Sequence, residues 1–484
     1  MNMKLDRRQF LLGGSLGISS SIFGLSWLDQ IALQQVAAAD LDSTRQYDAA
    51  VIIYYEGGPS QMDSFDPKPG TPGDRYSGVP IPGMEDIYGN QVQVTKLVER
   101  FGRIDGSKGL HQEGLGTVRL GFIRSMHHGI PVHQFAQKFT TNFWQSPVGF
   151  DYPPAAPLMA HYFSGHAAAT GLPGSVFIRG GTGRDANTMR NARVPLAMEV
   201  EGSSHGMDIM PEMLRTPQTA NLSQRTKLAE IFGAAHRQGR KHADISSWNK
   251  SVQQAAELTL SKVAEKAFTI DKNNLLSAGN DSIYHGYKQR FTLASQLVKY
   301  GVPFVQLGIG GNDDGHFNNT KAVENIFGQL TDDLVREMVL SLESWCVEQN
   351  KRVLVLMMGE FGRTPHLVSK VAGHDTRGHW ASGFTWALAS INHPNFKSTA
   401  IGDTGPDGSH TLSEGPLIHP VRPSAVGGLL YQVMGFPPEL SENHIQMLDG
   451  RIVAPVDLSF VKNNPDGAHI EGNTPWLMHQ FGLA

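Results

Sequence analysis

The sequence has one cysteine in 484 residues, Cys346, so no intrachain disulfide can form. Cys346 sits in the helical stretch ESWCVEQN and reads as core filler. Positive charge is not in excess: the formal net charge is −4, with no basic stripe, which argues against a nucleic-acid partner. There is no dinucleotide-type glycine pattern and no haem motif, which weakens a redox reading. No low-complexity linker and no internal repeat is visible, although 53 glycines and 27 prolines imply many loops. Long apolar runs are also lacking. The longest candidate, Leu11 to Leu25, is short and interrupted by Gly and Ser, too weak for a membrane anchor.

That stretch instead completes an export signal. Lys4, Arg7 and Arg8 form its charged start, and Ala37-Ala38-Ala39 offers a small-residue cleavage site. The string DRRQFLL resembles a twin-arginine signal, with Asp6 where Ser or Thr is commoner. The expectation is that residues 1–39 are cleaved after passage through the twin-arginine translocase. The mature protein would then be periplasmic or extracellular, without a stable membrane anchor and with a net charge of about −5.

Three continuous apolar runs, 49-AAVIIYY-55, 302-VPFVQLGI-309 and 352-RVLVLMM-358, predict central parallel strands covered on both faces. A fourth strand is predicted at 383–390, and helices over 284–300 and 325–350. Alternation of this kind predicts an α/β fold with a doubly wound, mainly parallel sheet. The stretch 217–268 reads as a helical insertion with a solvated charged face, and the tail from about 451 to 484 as loop-rich.

In such sheets, sites form just past the carboxyl ends of strands. Polar clusters fall there. Glu56, Ser60, Asp63 and Asp66 follow the first run, behind the Gly57-Gly58 turn. Asp313, Asp314 and His316 follow the second, and Glu360 with Arg363 the third. His374, Asp375, Arg377 and His379 lead into the fourth. A further cluster holds Arg124, Ser125, His127, His128 and His133. Carboxylates and imidazoles without thiolates suit one or two ions of Zn²⁺ or Mn²⁺. Ca²⁺ is an alternative, although NDDG lacks the EF-hand spacing. Arginine beside them suits the anionic oxygens of a phosphate- or sulfate-like group.

The strings GGPSQMDSFDPKPG, VPFVQLGIGGNDDGH and MGEFGRTP and the GHW loop resemble a family of secreted bacterial proteins, domain of unknown function 1501. The likeness runs over about 47–450. That family is placed in the alkaline phosphatase and sulfatase-like superfamily, which implies an alkaline phosphatase-like core with metal at the strand ends. By this resemblance Asp314, His316, Glu360 and His379 are metal ligands, with Asp63 a further candidate. Phe361 stands where the superfamily has His, and Gly378 where it has Asp, for which Asp375 substitutes by proximity. The sulfatase string Cys-x-Pro-x-Arg is absent, and Gly129 falls at the nucleophile position of related phosphodiesterases. Ser125 and Ser60 are the fallback nucleophiles, water activated by a bound metal the third choice. Arg363 and Arg124 would stabilise charge, and Arg363 would otherwise hold Glu360 in place. His128 or His133 would act as ligand or general acid. The implied activity is hydrolysis of a small-molecule or glycan ester of phosphate or sulfate. The alternative is a non-catalytic extracytoplasmic binding or assembly protein that keeps the fold.

Overall fold

The computed structural model describes residues 45–71, 74–107, 113–143, 154–163, 166–179, 198–201, 261–270, 275–277, 281–309, 319–366, 369–371, 374–408, 419–436, 445–446, 452–453 and 473–484. The expected export signal, most of the 217–268 insertion, and Asp314 and His316 lie outside the described residues. The described strands are β1 (Ala49–Tyr55), β2 (Gly78–Glu85), β3 (Gln91–Thr95), β4 (Val118–Met126), β5 (Val176–Arg179), β6 (Met198–Glu201), β7 (Phe304–Ile309), β8 (Val353–Gly359), β9 (Gly362–Arg363), β10 (Ser369–Val371), β11 (His374–Thr376), β12 (His379–Trp380), β13 (Phe384–Ile391) and β14 (Thr399–Ile401). The helices that matter below are α1 (His133–Asn142), α2 (Lys262–Phe268), α3 (Asp281–Tyr300), α4 (Arg336–Gln349), α5 (Pro423–Val433) and α6 (Thr474–Gln480).

Eight strands form the main sheet in the order β14-β4-β13-β8-β1-β7-β5-β6. The pairs β8–β1, β1–β7, β7–β5, β5–β6 and β14–β4 are parallel, so the sheet is mainly parallel, as expected. One expectation needs refinement. The fourth predicted strand, β13, runs antiparallel to both β8 and β4. Apolar periodicity reports burial and carries no direction, so this reversal was not visible in the sequence.

Every residue of β1 and β8 is buried. Val51, Ile53 and Tyr55 join a core built with α3 and the helical stretch 319–349, which winds with wide π-type turns over Glu324–Val335. On the other face the Tyr54 hydroxyl lies 3.1 Å from that of Thr140 in α1. Helices thus cover both faces, which is why these strands read as unbroken apolar runs.

Within the tail expected to be loop-rich, Thr474–Gln480 form helix α6, while residues 454–472 lie outside the described residues. Asn473 caps α6 by accepting from the Trp476 N–H at 2.9 Å, and a proline lies in the helix's first turn, as helix starts favour. Thr474 donates to the Ala425 carbonyl of α5 at 3.0 Å. Phe481 is fully buried and stacks on Phe396, centroids 5.1 Å apart. Phe481→Ala should therefore destabilise the protein by about 3–5 kcal/mol in urea titrations, where a tail residue would leave the midpoint unchanged.

Candidate functional site

The register fixes which loops meet. Tyr55 pairs with Gly359 on one side and with Ile309 on the other, so β8, β1 and β7 end level at one edge. Neighbouring strands lie about 4.8 Å apart, which brings Glu56, Glu360 and Ile309 within roughly 10 Å. β13 is reversed, so its start lies at this same edge. β4, parallel to β8, delivers His127 and His128 there, with Met126 opposite Phe384.

Glu360 is fully buried. Its Oε1 accepts the Gly57 N–H at 2.5 Å and lies 2.9 Å from Nδ1 of His133, the first residue of α1. Its Oε2 is buried without a hydrogen-bond partner among the described residues. Burial pushes the Glu360 carboxyl up, against the opposing pull of His133, the Gly57 N–H and Arg363. The Gly57-Gly58 turn follows β1, both glycines at positive φ, and a Cβ at Gly58 would sit 2.5 Å from the Phe361 ring. Only glycine lets that turn come so close.

Arg363 is 1% exposed. Its guanidinium donates to the carbonyls of Gly57, of Gly58 at 2.7 Å and of Arg377 at 3.4 Å. Its backbone exchanges two hydrogen bonds of 2.9 Å with the Gln61 amide. Of its two expected roles, this geometry fits holding the loop that holds Glu360. Arg124 is likewise spent within the fold. It donates to the carbonyls of Phe65 and Gln93 and lies 3.5 Å from Asp66, itself 3.0 Å from Lys68.

Asp63 is not offered to a metal. It is 1% exposed and held between Arg75 at 3.2 Å and Arg377 at 3.3 Å, and Arg377 also donates to the carbonyls of Thr364 and Pro365. Ser125 is fully buried in β4 and donates to the His419 carbonyl, so it is not presented as a nucleophile. Ser60 is 1% exposed, its hydroxyl without a hydrogen-bond partner among the described residues. Gly129 is at positive φ with open space beside it.

The histidines divide by role. Nδ1 of His128 accepts the Ile130 N–H at 3.0 Å, so its proton is on Nε2, which donates to the Glu360 carbonyl at 2.5 Å. With both nitrogens engaged by backbone, His128 is a latch and not the expected general acid. His379 pairs with Arg363 across β9 and β12, and its Nδ1 donates to the Pro131 carbonyl at 2.5 Å. His133 and His379 adjoin, ring centroids 4.3 Å apart. His133 is the imidazole that reaches the Glu360 side chain. Its signal was proximity to the HHG turn, which did not distinguish it from His128.

The structure therefore brings Glu360, His133 and His379 together and keeps Asp63, Arg124 and Ser125 in the scaffold. Among the described residues no three His, Cys, Asp or Glu side chains are placed to share one metal ion.

These features define an α/β protein with a buried carboxylate and two imidazoles at the carboxyl edge of its sheet. The chain belongs to the family described as protein of unknown function (DUF1501), whose model matches residues 47–390. No curated protein matches it. Solved structures to which it is similar include the alkaline phosphatase of the Antarctic bacterium TAB5, 11% identical over 74% of this chain and 95% of that one, TM-score 0.29. A magnesium-bound mutant of that enzyme matches at the same values. The zinc complex of the C-terminal periplasmic domain of EptC from Escherichia coli is 8% identical over 86% of this chain and 95% of that one, TM-score 0.31.

Two predictions follow from this geometry. Asp63→Ala leaves two buried guanidiniums without their carboxylate and should cost about 3–5 kcal/mol, measured by denaturant unfolding in chelator. A metal ligand would instead lose its effect once chelator is present. Burial pulls His128 from 6.5 down to about 4. Between these values the unfolded chain binds a proton that the native one does not, so stability is complete above pH 6.5 and falls as pH drops toward 4, by up to roughly 3 kcal/mol. His393, stacked on Tyr47 at 4.8 Å, is also pulled down to about 4 by burial and adds to the slope. His128→Asn should be less stable at pH 7 and vary less over this window in pH-resolved urea titrations.

Proposed function

We propose that this protein is an exported, metal-dependent hydrolase of phosphate or sulfate esters, acting on a small molecule or glycan. The observation that carries the reading is Glu360: a buried carboxylate at the sheet edge, one oxygen anchored by Gly57 and His133, the other unpartnered among the described residues. A buried carboxylate oxygen without a donor is costly unless a cation or ligand meets it. Glu360 therefore fits a ligand role, and Asp63, already neutralised, does not.

In this reading Glu360 and His379 hold Zn²⁺ or Mn²⁺ with Asp314 and His316. Those two follow Ile309 in sequence, beyond the end of β7 and outside the described residues. Such an ion would polarise the ester and offset charge developing on its oxygens. This chain's own part is to hold Glu360 rigidly. Arg363 fixes the Gly57-Gly58 turn, the turn donates to Glu360, and His128 fixes the Glu360 backbone. Phe361, itself buried, packs against the rings of His133 and His379.

A second reading, an extracytoplasmic binding protein without catalysis, is favoured by one finding: Arg363, Arg124 and Ser125, expected to do chemistry, are committed to backbone partners. The test separates the two. Metal content would be measured on mature protein purified without chelator, followed by turnover of aryl phosphate, phosphodiester and sulfate esters across added divalent ions. The hydrolase reading expects bound metal and turnover, with Glu360→Gln lowering metal affinity at least as far as loss of an outer-shell partner, about 10–100-fold. Metal without turnover across the ester panel supports the binding protein. Folded wild type that takes up no metal overturns the metal assignment.

A further inference from the structure

Arg363, Arg377 and Arg124 are spent on acceptors within the fold. Arg422 is not. Met126, the last residue of β4, forms an isolated parallel bridge with Val421. The Val421 N–H donates to the Ser125 carbonyl and the His127 N–H to the Val421 carbonyl, both at 3.0 Å. His127 and Arg422 leave this bridge side by side, and paired residues of neighbouring strands carry their side chains to the same face. Their closeness is felt electrostatically: burial first, and the Arg422 charge second, hold the His127 imidazole below its usual range. Arg422 is exposed and His127 half-buried, and neither side chain has a hydrogen bond or ion pair among the described residues. Arg422 also immediately precedes α5, whose first turn holds a proline and has no side-chain cap. Ser424 in that turn is 7% exposed, yet its hydroxyl and its N–H lack a partner among the described residues. Unpaired N–H groups of a first turn point back out of the helix start, where the dipole favours negative charge.

We propose that His127, Arg422 and Ser424 form an oxyanion subsite that takes a second phosphate- or sulfate-type group of the substrate. For its occupant this rests on the hydrolase reading above, and it narrows the substrate to a small molecule or glycan carrying two such groups. A tetrahedral oxyanion fits the donor set. Arg422 offers a planar fork that meets two oxygens, neutral His127 one N–H, and Ser424 a hydroxyl and a backbone N–H. The anion offsets the Arg422 charge beside His127 and satisfies the Ser424 donors, which burial otherwise leaves at a cost. The subsite adjoins the candidate centre through the backbone: His127 precedes His128, whose Nε2 donates to the Glu360 carbonyl at 2.5 Å. One group of a doubly charged substrate would lie at the Glu360 edge while Arg422 holds the other.

The test has two arms. In the first, mature wild type in chelator is titrated calorimetrically with inorganic sulfate beside Arg422→Gln, Ser424→Ala and the control Lys351→Gln. Arg422 is exposed, so its variant keeps the fold, and Lys351 lies ahead of β8 at the opposite edge of the sheet. Arg422→Gln should lose about tenfold or more in affinity, the scale of a charge-assisted hydrogen bond, Ser424→Ala about threefold, and the control nothing. Unchanged affinity in Arg422→Gln, or no sulfate binding by wild type, would overturn the subsite. The second arm adds divalent metal and compares phenyl phosphate and glucose 6-phosphate with 1,4-phenylene bisphosphate and glucose 1,6-bisphosphate as substrates. Arg422→Gln should raise KM for a bisphosphate about tenfold, with kcat and the monophosphate KM unchanged. Equal effects on both kinds of ester would overturn the substrate role and leave a site for the free ion. Absence of turnover with sulfate binding intact would sink the hydrolase reading and the substrate role together, and the oxyanion site would then belong to the binding protein.

Discussion

The site depends on one clasp between two neighbouring strand ends. The Gly57-Gly58 turn beyond β1 presents its carbonyls to Arg363 and a backbone N–H to Glu360, so one loop satisfies both charged residues that follow β8. Neither charge could be buried alone, because desolvation would exceed what a single contact returns. The clasp closes only because glycine occupies the tight places. Gly57 and Gly58 take positive φ, and a Cβ on Gly359 would lie 2.8 Å from Pro59. Register supplies the rest, since Tyr55 and Gly359 are paired across the sheet.

Charge at this edge is sorted by partner. Arg363 serves carbonyls, Arg377 and Arg75 serve Asp63, and Lys68 and Arg124 serve Asp66. Each of these cations is thereby tied to an acceptor within the fold. Glu360 retains an oxygen without a donor among the described residues, and two imidazoles stand beside it. In the proposed hydrolase such an edge would take a cation first, and an anionic ester would then be drawn by the bound ion and not by these guanidiniums.

How much of this was legible follows from the kind of signal each feature leaves. β1 and β8 were read to within a residue because a strand buried on both faces is an unbroken apolar run. β4 escaped because Arg119, Gly121 and Arg124 interrupt it, although both arginine heads reach backbone carbonyls. Helix α6 escaped because it is a single short stretch, stabilised by a cap and by Phe481 more than by a periodic face. Glu360 was legible as a carboxylate at a strand tip. The duties of Arg363 and His128 were not, because their partners are backbone carbonyls, which every residue possesses and no sequence marks. His133 was visible only as one of several histidines, since what selects it is its place at the start of α1.

The reversal of β13 explains how so few segments build the site. A parallel successor to β8 would have required a crossover to the opposite edge before Arg377 and His379 could appear. An antiparallel one lets the chain leave β8 at Gly359, turn through β9 to β12, and re-enter the sheet at Phe384 without leaving that edge. Within that excursion β9 and β12 pair, setting His379 opposite Arg363, and β4 brings the His127-to-His133 segment in from β13's other side. The imidazoles therefore reach this edge from separate segments, and Phe361 packs against both rings, which also touch each other. An aromatic at that position contributes no ligand. It packs against both rings beside a fully buried carboxylate, so their orientation is set by the fold before any ligand arrives.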